Sequence, residues 1–305
     1  MHWCLPAVRD SDAGMMNLSD NMRGAMMMSI AMVAFTLNDT FMKLLGDAYS
    51  LPQLLAMRGT IVTALMLGLA YKWGQLDLRQ PRREWGLISL RTLAEIAAAY
   101  AFLPALFNMS LANVTAIMQS LPLALTLAGA VFLKEPVGWK RLVAIAIGFG
   151  GVMLIIQPGG DEFNIYSLLV IATVGFVVIR DLSARKLSRA TPSLLVAAHA
   201  AGGVALSGYI MLPTVEWQPM GLREYLLLLG ASGSVFVGYF LAVMAVRVGE
   251  IAFVSPFRYV SLISALILGL VIFNRIPNNL ALVGSAIVVA TGLFTLYREQ
   301  LARRR

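Results

Sequence analysis

The stretch AFTLNDTFMKLL, Ala34 to Leu45, closes an apolar run that begins at Gly24, yet it carries Asn38, Asp39 and Lys43. A charged side chain at mid-membrane costs roughly 2.5–3.5 kcal/mol on insertion scales, so such residues need partners or water and are functional candidates. Asp39 and Lys43 are four apart, so they share a helix face and can pair. Lys43, nearer the end of the run, can instead snorkel to the headgroups. Asp39 lies deeper and could bind a solute or carry a proton. Arg91 and Glu95 repeat the four-residue spacing on another apolar run. Glu95 falls near the middle of that run, and Tyr100 lies little more than a turn beyond. An intrahelical pair could satisfy both charges, or the carboxylate could serve a substrate or a proton.

Other polar residues lack an acid on their own run. Arg58 needs a partner from another helix or from a solute, and Asp39 is the expected one. His199 holds the corresponding place later in the chain, where a helix–helix hydrogen bond competes with a substrate contact. Arg258 and Tyr259 follow Pro256, and Gln119 precedes Pro122. Proline frees a backbone carbonyl, and broken helices at membrane depth line cavities or are buried in protein. Arg180–Asp181 reads as an interfacial anchor. The expected substrate-binding set is Asp39, Arg58, Glu95, Tyr100, Gln119, His199, Arg258 and Tyr259, with Asp39 and Glu95 as candidates for proton coupling. Aromatic residues at Phe35, Tyr100, Phe102, Phe176, Tyr239, Phe257 and Tyr259 would stack on a planar ligand wherever they converge, with Arg58 or Arg258 adding a cation–π contact.

The elements that must carry these groups follow from composition. Of 305 residues, 59% are apolar and 13% charged, about half the charged fraction of a soluble domain. Mean hydropathy is +0.76. The class is an all-α integral membrane protein. A net charge of +8 raises nucleic acid as a partner, but the bases are spread over the loops between the apolar runs, where they read as topological signals. One cysteine, Cys4, and two histidines, His2 and His199, give no disulfide framework and little for a metal site; no cofactor is expected.

Runs of about 20 apolar residues cross a bilayer as helices. Ten are expected: 24–45, 52–72, 85–107, 111–133, 139–156, 164–182, 193–212, 223–246, 251–273 and 279–298. Residues 1–23 hold no apolar core and are expected to form a disordered cytoplasmic tail, with Met15 or Met16 as alternative starts to Met1; 299–305 form a basic cytoplasmic tail. Of the 24 Lys and Arg, 17 fall on one side of the ten spans and 2 on the other. The positive-inside rule places the 17, and both termini, in the cytoplasm, so the expected location is the cell inner membrane.

The two halves, 24–156 and 164–298, resemble each other. Ser120–Leu154 parallels Ser255–Phe294, each with a proline in its fourth helix and a Phe-x-x-x-Pro hinge, while Asn38–Leu44 parallels Arg180–Lys186. Five spans per half is an odd number, so the second half enters from the opposite side. The expected architecture is therefore ten transmembrane helices as two inverted-topology five-helix repeats. Secondary transporters place their substrate near mid-membrane between such repeats.

With LPLALTLAGAVFLKEP at Leu121–Pro136 followed by a Gly-Gly helix, the chain resembles the drug/metabolite transporter superfamily, in particular the EamA family, from Arg23 onward. Arg275 stands where that family often has Glu in the second half. The resemblance implies alternating-access movement of a small metabolite around a central cavity. Leu18–Lys43 looks most similar to bacterial riboflavin-uptake members; amino-acid exporters and S-adenosylmethionine carriers share the pattern and remain the alternative. A homodimer is compatible with it. An intramembrane serine protease is a remote alternative: GASGS at Gly230–Ser234 offers Ser232, but both histidines precede it, whereas in rhomboid-type proteases the histidine follows. The expectation is a carrier, not an enzyme.

Overall fold

A computed structural model of the chain describes residues 13–135, 137–159, 164–188 and 190–303, all helix, turn or coil. The helices are α1 (Ala13–Gly46), α2 (Leu51–Lys72), α3 (Arg82–Asn108), α4 (Leu111–Met118), α5 (Leu121–Phe132), α6 (Trp139–Ile156), α7 (Ile165–Arg185), α8 (Ser193–Met211), α9 (Leu222–Val248), α10 (Ile251–Val254), α11 (Val260–Phe273) and α12 (Asn279–Arg303). Short 3₁₀ turns lie at Leu212–Thr214 and Ser255–Tyr259. The described residues supply ten spans long and apolar enough to cross a bilayer, and the expected spans match them to within a few residues at most ends. The chain is an all-helical, multi-pass membrane protein.

Two ends differ. α1 begins at Ala13, so residues 13–23 are helical where a disordered tail is expected; residues 1–12 of that tail lie outside the described residues. α7 runs to Arg185, beyond the expected end at 182. α7 continues because no Pro or Gly lies at its expected end, and α1 runs through Gly24.

Two spans are broken in the middle. The fourth divides into α4 and α5 at Gln119–Ser120, just ahead of Pro122. The ninth divides into α10, the 3₁₀ turn holding Pro256, and α11. Proline near the start of a helix fits, because the first amides have no intrahelical partner. The two spans also end alike. Gly129 O accepts from Glu135 N at 3.2 Å, and Gly269 O accepts from Arg275 N at 3.0 Å. Lys134 (φ 56) and Asn274 (φ 50) take the left-handed conformation that makes each closure.

The most extensive packing pairs α1 with α9, α2 with α8, α3 with α7, and α6 with α12. The first pair and the third exchange places, and the other two map onto themselves, when spans one to five are swapped with six to ten. Small residues set the closest approaches, as expected where lipid offers no hydrophobic drive to pack. A Cβ on Gly151 would come within 2.9 Å of Gly284 O, and one on Gly59 within 2.8 Å of Ala205 Cα. The ten spans are even in number, so the start of α1 and the end of α12 share one face of the bundle, called the terminal face below.

Replacing Gly284 with Val forces α12 away from α6. Overpacking of this kind costs about 1–3 kcal/mol, and thermal unfolding in detergent should register it as a lower midpoint than that of the unaltered chain.

Candidate functional site

The helices enclose a central cavity of about 370 Å³, within the ~300–1,000 Å³ of small-molecule sites. Its polar lining is Asn38 and Asp39 of α1, Arg58 of α2, Glu95 of α3, Gln119 at the α4–α5 break, Thr173 and Arg180 of α7, Tyr239 of α9, and Arg258 and Ser261 at the α10–α11 break. Phe35, Phe102 and Tyr239 supply the aromatic walls. Both broken spans contribute, because an interrupted helix leaves carbonyls and short polar side chains open to the interior.

The charges form two groups. At the first, Arg58 Nη1 donates to Asn38 Oδ1 at 2.9 Å, and Asn38 Nδ2 donates to Asp39 Oδ1 at 2.9 Å. Asn38, itself 5% exposed, links guanidinium to carboxylate. Arg58 Nε is buried without an acceptor. At the second, Arg180 Nη1 donates to both oxygens of Glu95, at 3.3 and 3.4 Å, and its Nε donates to Asp181 Oδ1 at 2.8 Å. Arg91 approaches Glu95 from the other side at 3.9 Å. A third polar patch lies at the breaks: Gln119 Nε2 donates to Ser261 Oγ at 2.8 Å, and Ser261 Oγ donates to Arg258 O at 2.9 Å. The Arg258 side chain makes no hydrogen bond or ion pair to a described residue and lines the cavity.

Of the expected set, Asp39, Arg58, Glu95, Gln119 and Arg258 meet at this cavity. Tyr100, His199 and Tyr259 line it nowhere. Positions 95, 98, 99 and 102 share one face of α3 and line the cavity, whereas Tyr100, five residues from Glu95, turns away and donates to Ser207 O of α8 at 3.2 Å. His199 Nδ1 bonds Thr92 Oγ1 of α3 at 2.9 Å, with its ring 5.6 Å from that of Trp85. Arg258 and Ser261, three apart, face the cavity, while the Tyr259 hydroxyl packs against Gly292 of α12.

Lys43 requires a second correction. It does not pair with Asp39; its Nζ donates to the carbonyls of Leu106, Phe107 and Met109 at 2.6, 3.1 and 2.8 Å, which takes up all three of its protons. These are orphan acceptors at the C-terminal end of α3, where the helix dipole also favours a cation. Arg180 is the residue that sequence reasoning missed. An arginine two residues from an expected span end reads as an anchor, but α7 continues to Arg185 and Arg180 turns inward. The signal was available in its parallel with Asn38: both stand before an Asp and both hydrogen-bond to it. Ser232 is fully buried, and its Oγ donates to Leu228 O at 2.8 Å, so it meets neither His199 nor the cavity.

Residues 22–157 match the EamA-like transporter family. The chain is similar to a riboflavin transporter of Vibrio cholerae, 28% identical over 93% of this chain and 96% of that one. It is similar to an S-adenosylmethionine uptake transporter of Rickettsia bellii, 25% identical over 90% and 93%. It is also similar to a riboflavin transporter of Rhizobium johnstonii, 26% identical over 92% and 93%. A solved crystal structure superposes with a TM-score of 0.65 over 95% of this chain and 100% of its own, at 19% identity, a likeness of fold.

The Arg180–Glu95 contact joins α7 to α3, so losing one partner strands the other charge. Arg180→Gln should lower stability by about 1–3 kcal/mol, and adding Glu95→Gln should recover most of the loss. A double-mutant cycle of unfolding midpoints in detergent measures the coupling; additive losses would mean that the pair is not coupled.

Proposed function

Taking the chain as a membrane transporter of the EamA family, we propose that its substrate is riboflavin, taken up across the cell inner membrane by alternating access. One observation carries the choice: among the described residues the Arg258 guanidinium of the cavity meets no protein acceptor, whereas both cavity carboxylates accept at least one hydrogen bond from the protein. Glu95 is held by Arg180, and Asp39 by Asn38. The Arg258 guanidinium remains to meet acceptors on a solute. Riboflavin is neutral, planar and rich in carbonyl, ring-nitrogen and hydroxyl acceptors. Phe35, Phe102 and Tyr239 would flank its ring system, and Phe35 already meets Tyr239 edge to face at 5.3 Å. S-adenosylmethionine, the second reading, brings a sulfonium and an ammonium, whereas the acids of this cavity, Glu95 and Asp39, already accept hydrogen bonds from Arg180 and Asn38. Amino-acid export is a third.

The carrier reading includes an inverted repeat of residues 24–156 and 164–298. It is supported by the exchange symmetry of the helix pairs, by the two matched breaks and by the matched closures at Gly129 and Gly269. The excess of Lys and Arg on the terminal face supports cytoplasmic termini. Catalysis has no support here: Ser232 has no histidine partner among the described residues.

Labelled riboflavin offered to a flavin-auxotrophic cell should accumulate above the empty vector, and excess S-adenosylmethionine should not compete. No uptake, or strong competition, would remove this choice. Arg258→Ala should raise the KM for uptake about tenfold to a hundredfold, the worth of a hydrogen bond to a charged group.

Asp39 and Glu95 are the groups proposed for proton coupling. Asp39→Asn and Glu95→Gln should abolish dependence on the proton gradient while leaving substrate exchange. Unchanged gradient-driven accumulation in both variants would exclude them.

A further inference from the structure

Hydrogen bonds between the first and second halves of the chain cross each face of the bundle, and their chemistry differs. On the terminal face, Glu84 near the start of α3 accepts from Ser188 N at 3.0 Å and from Thr191 Oγ1 at 2.9 Å, both in the segment leading into α8. On the other face, Gln53 near the start of α2 donates to Gln218 O at 2.6 Å and accepts from Gln218 N at 3.1 Å, in the segment leading into α9. Swapping spans one to five with six to ten exchanges the region where α3 and α8 begin with the region where α9 and α2 begin, although the helix position of Glu84 falls on Glu224 of α9 and not on Gln53. Both side chains are buried, Glu84 at 4% and Gln53 at 0% exposure. Each joins the first half of the chain to the second.

The neighbouring contacts repeat the difference. On the terminal face Glu135 meets Arg185 at 3.6 Å. Their counterparts on the other face are Arg275 and Lys43, two cations within coulombic range of one another, and Lys43 is engaged with carbonyls of its own half. The inter-half contacts of the other face include Tyr49 to Pro219 at 3.4 Å, Gln157 to Asn278 at 2.9 Å, and Lys43 Nζ 5.6 Å from the centre of the Phe273 ring. The Glu135–Arg185 pair is half-exposed and contributes little; the difference rests on Glu84.

We infer that Glu84 and Gln53 are opposed latches, and that the carboxylate latch is the stronger, so that the resting carrier opens more readily on the face away from its termini. Hydrogen bonds to an ionised acceptor are roughly twice as strong as neutral ones. A carrier whose inner face is the harder to open waits with its cavity turned outward, which suits uptake. The inference rests on the transporter reading, but its readout is accessibility and needs no particular solute.

The test uses the full chain with Cys4→Ser and Ala99→Cys, which places one thiol in the cavity wall. A membrane-impermeant maleimide is added to sealed vesicles, and their orientation is read from protease access to the C-terminal tail. Labelling of the parent should be faster from the face away from the termini. Glu84→Gln should reduce that preference by about fivefold, the difference between a charged and a neutral hydrogen bond. Thr191→Val, which removes one donor without touching the carboxylate, should move it the same way. Gln53→Ala should increase it. A ratio that stays within about twofold in all three variants overturns the latches, with the carrier reading untouched. A parent thiol that labels from neither face counts against the cavity itself.

Discussion

An ionised side chain inside a bilayer must meet a partner or water, and that requirement shapes this protein more than any other. Five bases fall within the spans expected from sequence, and the helices are arranged to receive most of them, Arg91 among them at 3.9 Å from Glu95. Lys43 closes the open end of α3, Arg180 crosses to Glu95, and Arg58 reaches Asp39 through Asn38. Arg258 is left facing the cavity, and Arg58 keeps one donor unused. Groups that the fold satisfies become structure, and on the proposed function those it leaves over are the ones a solute would meet.

The distinction explains which residues could be found from sequence. The spans were legible because hydrocarbon thickness fixes their length, and the breaks because Pro122 and Pro256 sit inside apolar runs. Asp39, Arg58, Glu95, Gln119 and Arg258 were legible because charge or amide inside a span is rare. Helical rotation was the harder part. Tyr100 and Tyr259 lie close in sequence to cavity residues but on other faces, so proximity misled where angle decides. His199 satisfied itself on Thr92, a partner more than a hundred residues away that no local pattern announces. Arg180 was hidden by a helix end three residues off, enough to turn a mid-depth group into an apparent anchor. Lys43 had a plausible partner on its own helix, and the better one, a trio of carbonyls, carries no sequence signal.

The two halves share a backbone plan more closely than a chemistry. Asn38–Asp39 and Arg180–Asp181 repeat one hydrogen-bonded dipeptide, but the first uses an amide and the second a guanidinium. Glu135 and Arg275 occupy one closure with opposite charge. In the proposed inverted repeat the two breaks and the two closures recur, and divergence of single side chains would make the faces unequal. A carrier built from identical halves would have no preferred side, so these differences are where direction can be encoded.

The central claim is that the intramembrane ionic groups look onto a hydrated vestibule that holds the solute. Hydroxyl-radical footprinting of the protein in lipid nanodiscs, read by mass spectrometry, addresses it directly. Met32 and Met118 line the cavity, whereas Met28 and Met42 are fully buried in helix packing. Met32 and Met118 should oxidise readily and become protected when riboflavin is added, while Met28 and Met42 stay silent throughout. Oxidation confined to the lipid-facing methionines, with Met32 and Met118 unreactive, would contradict the account.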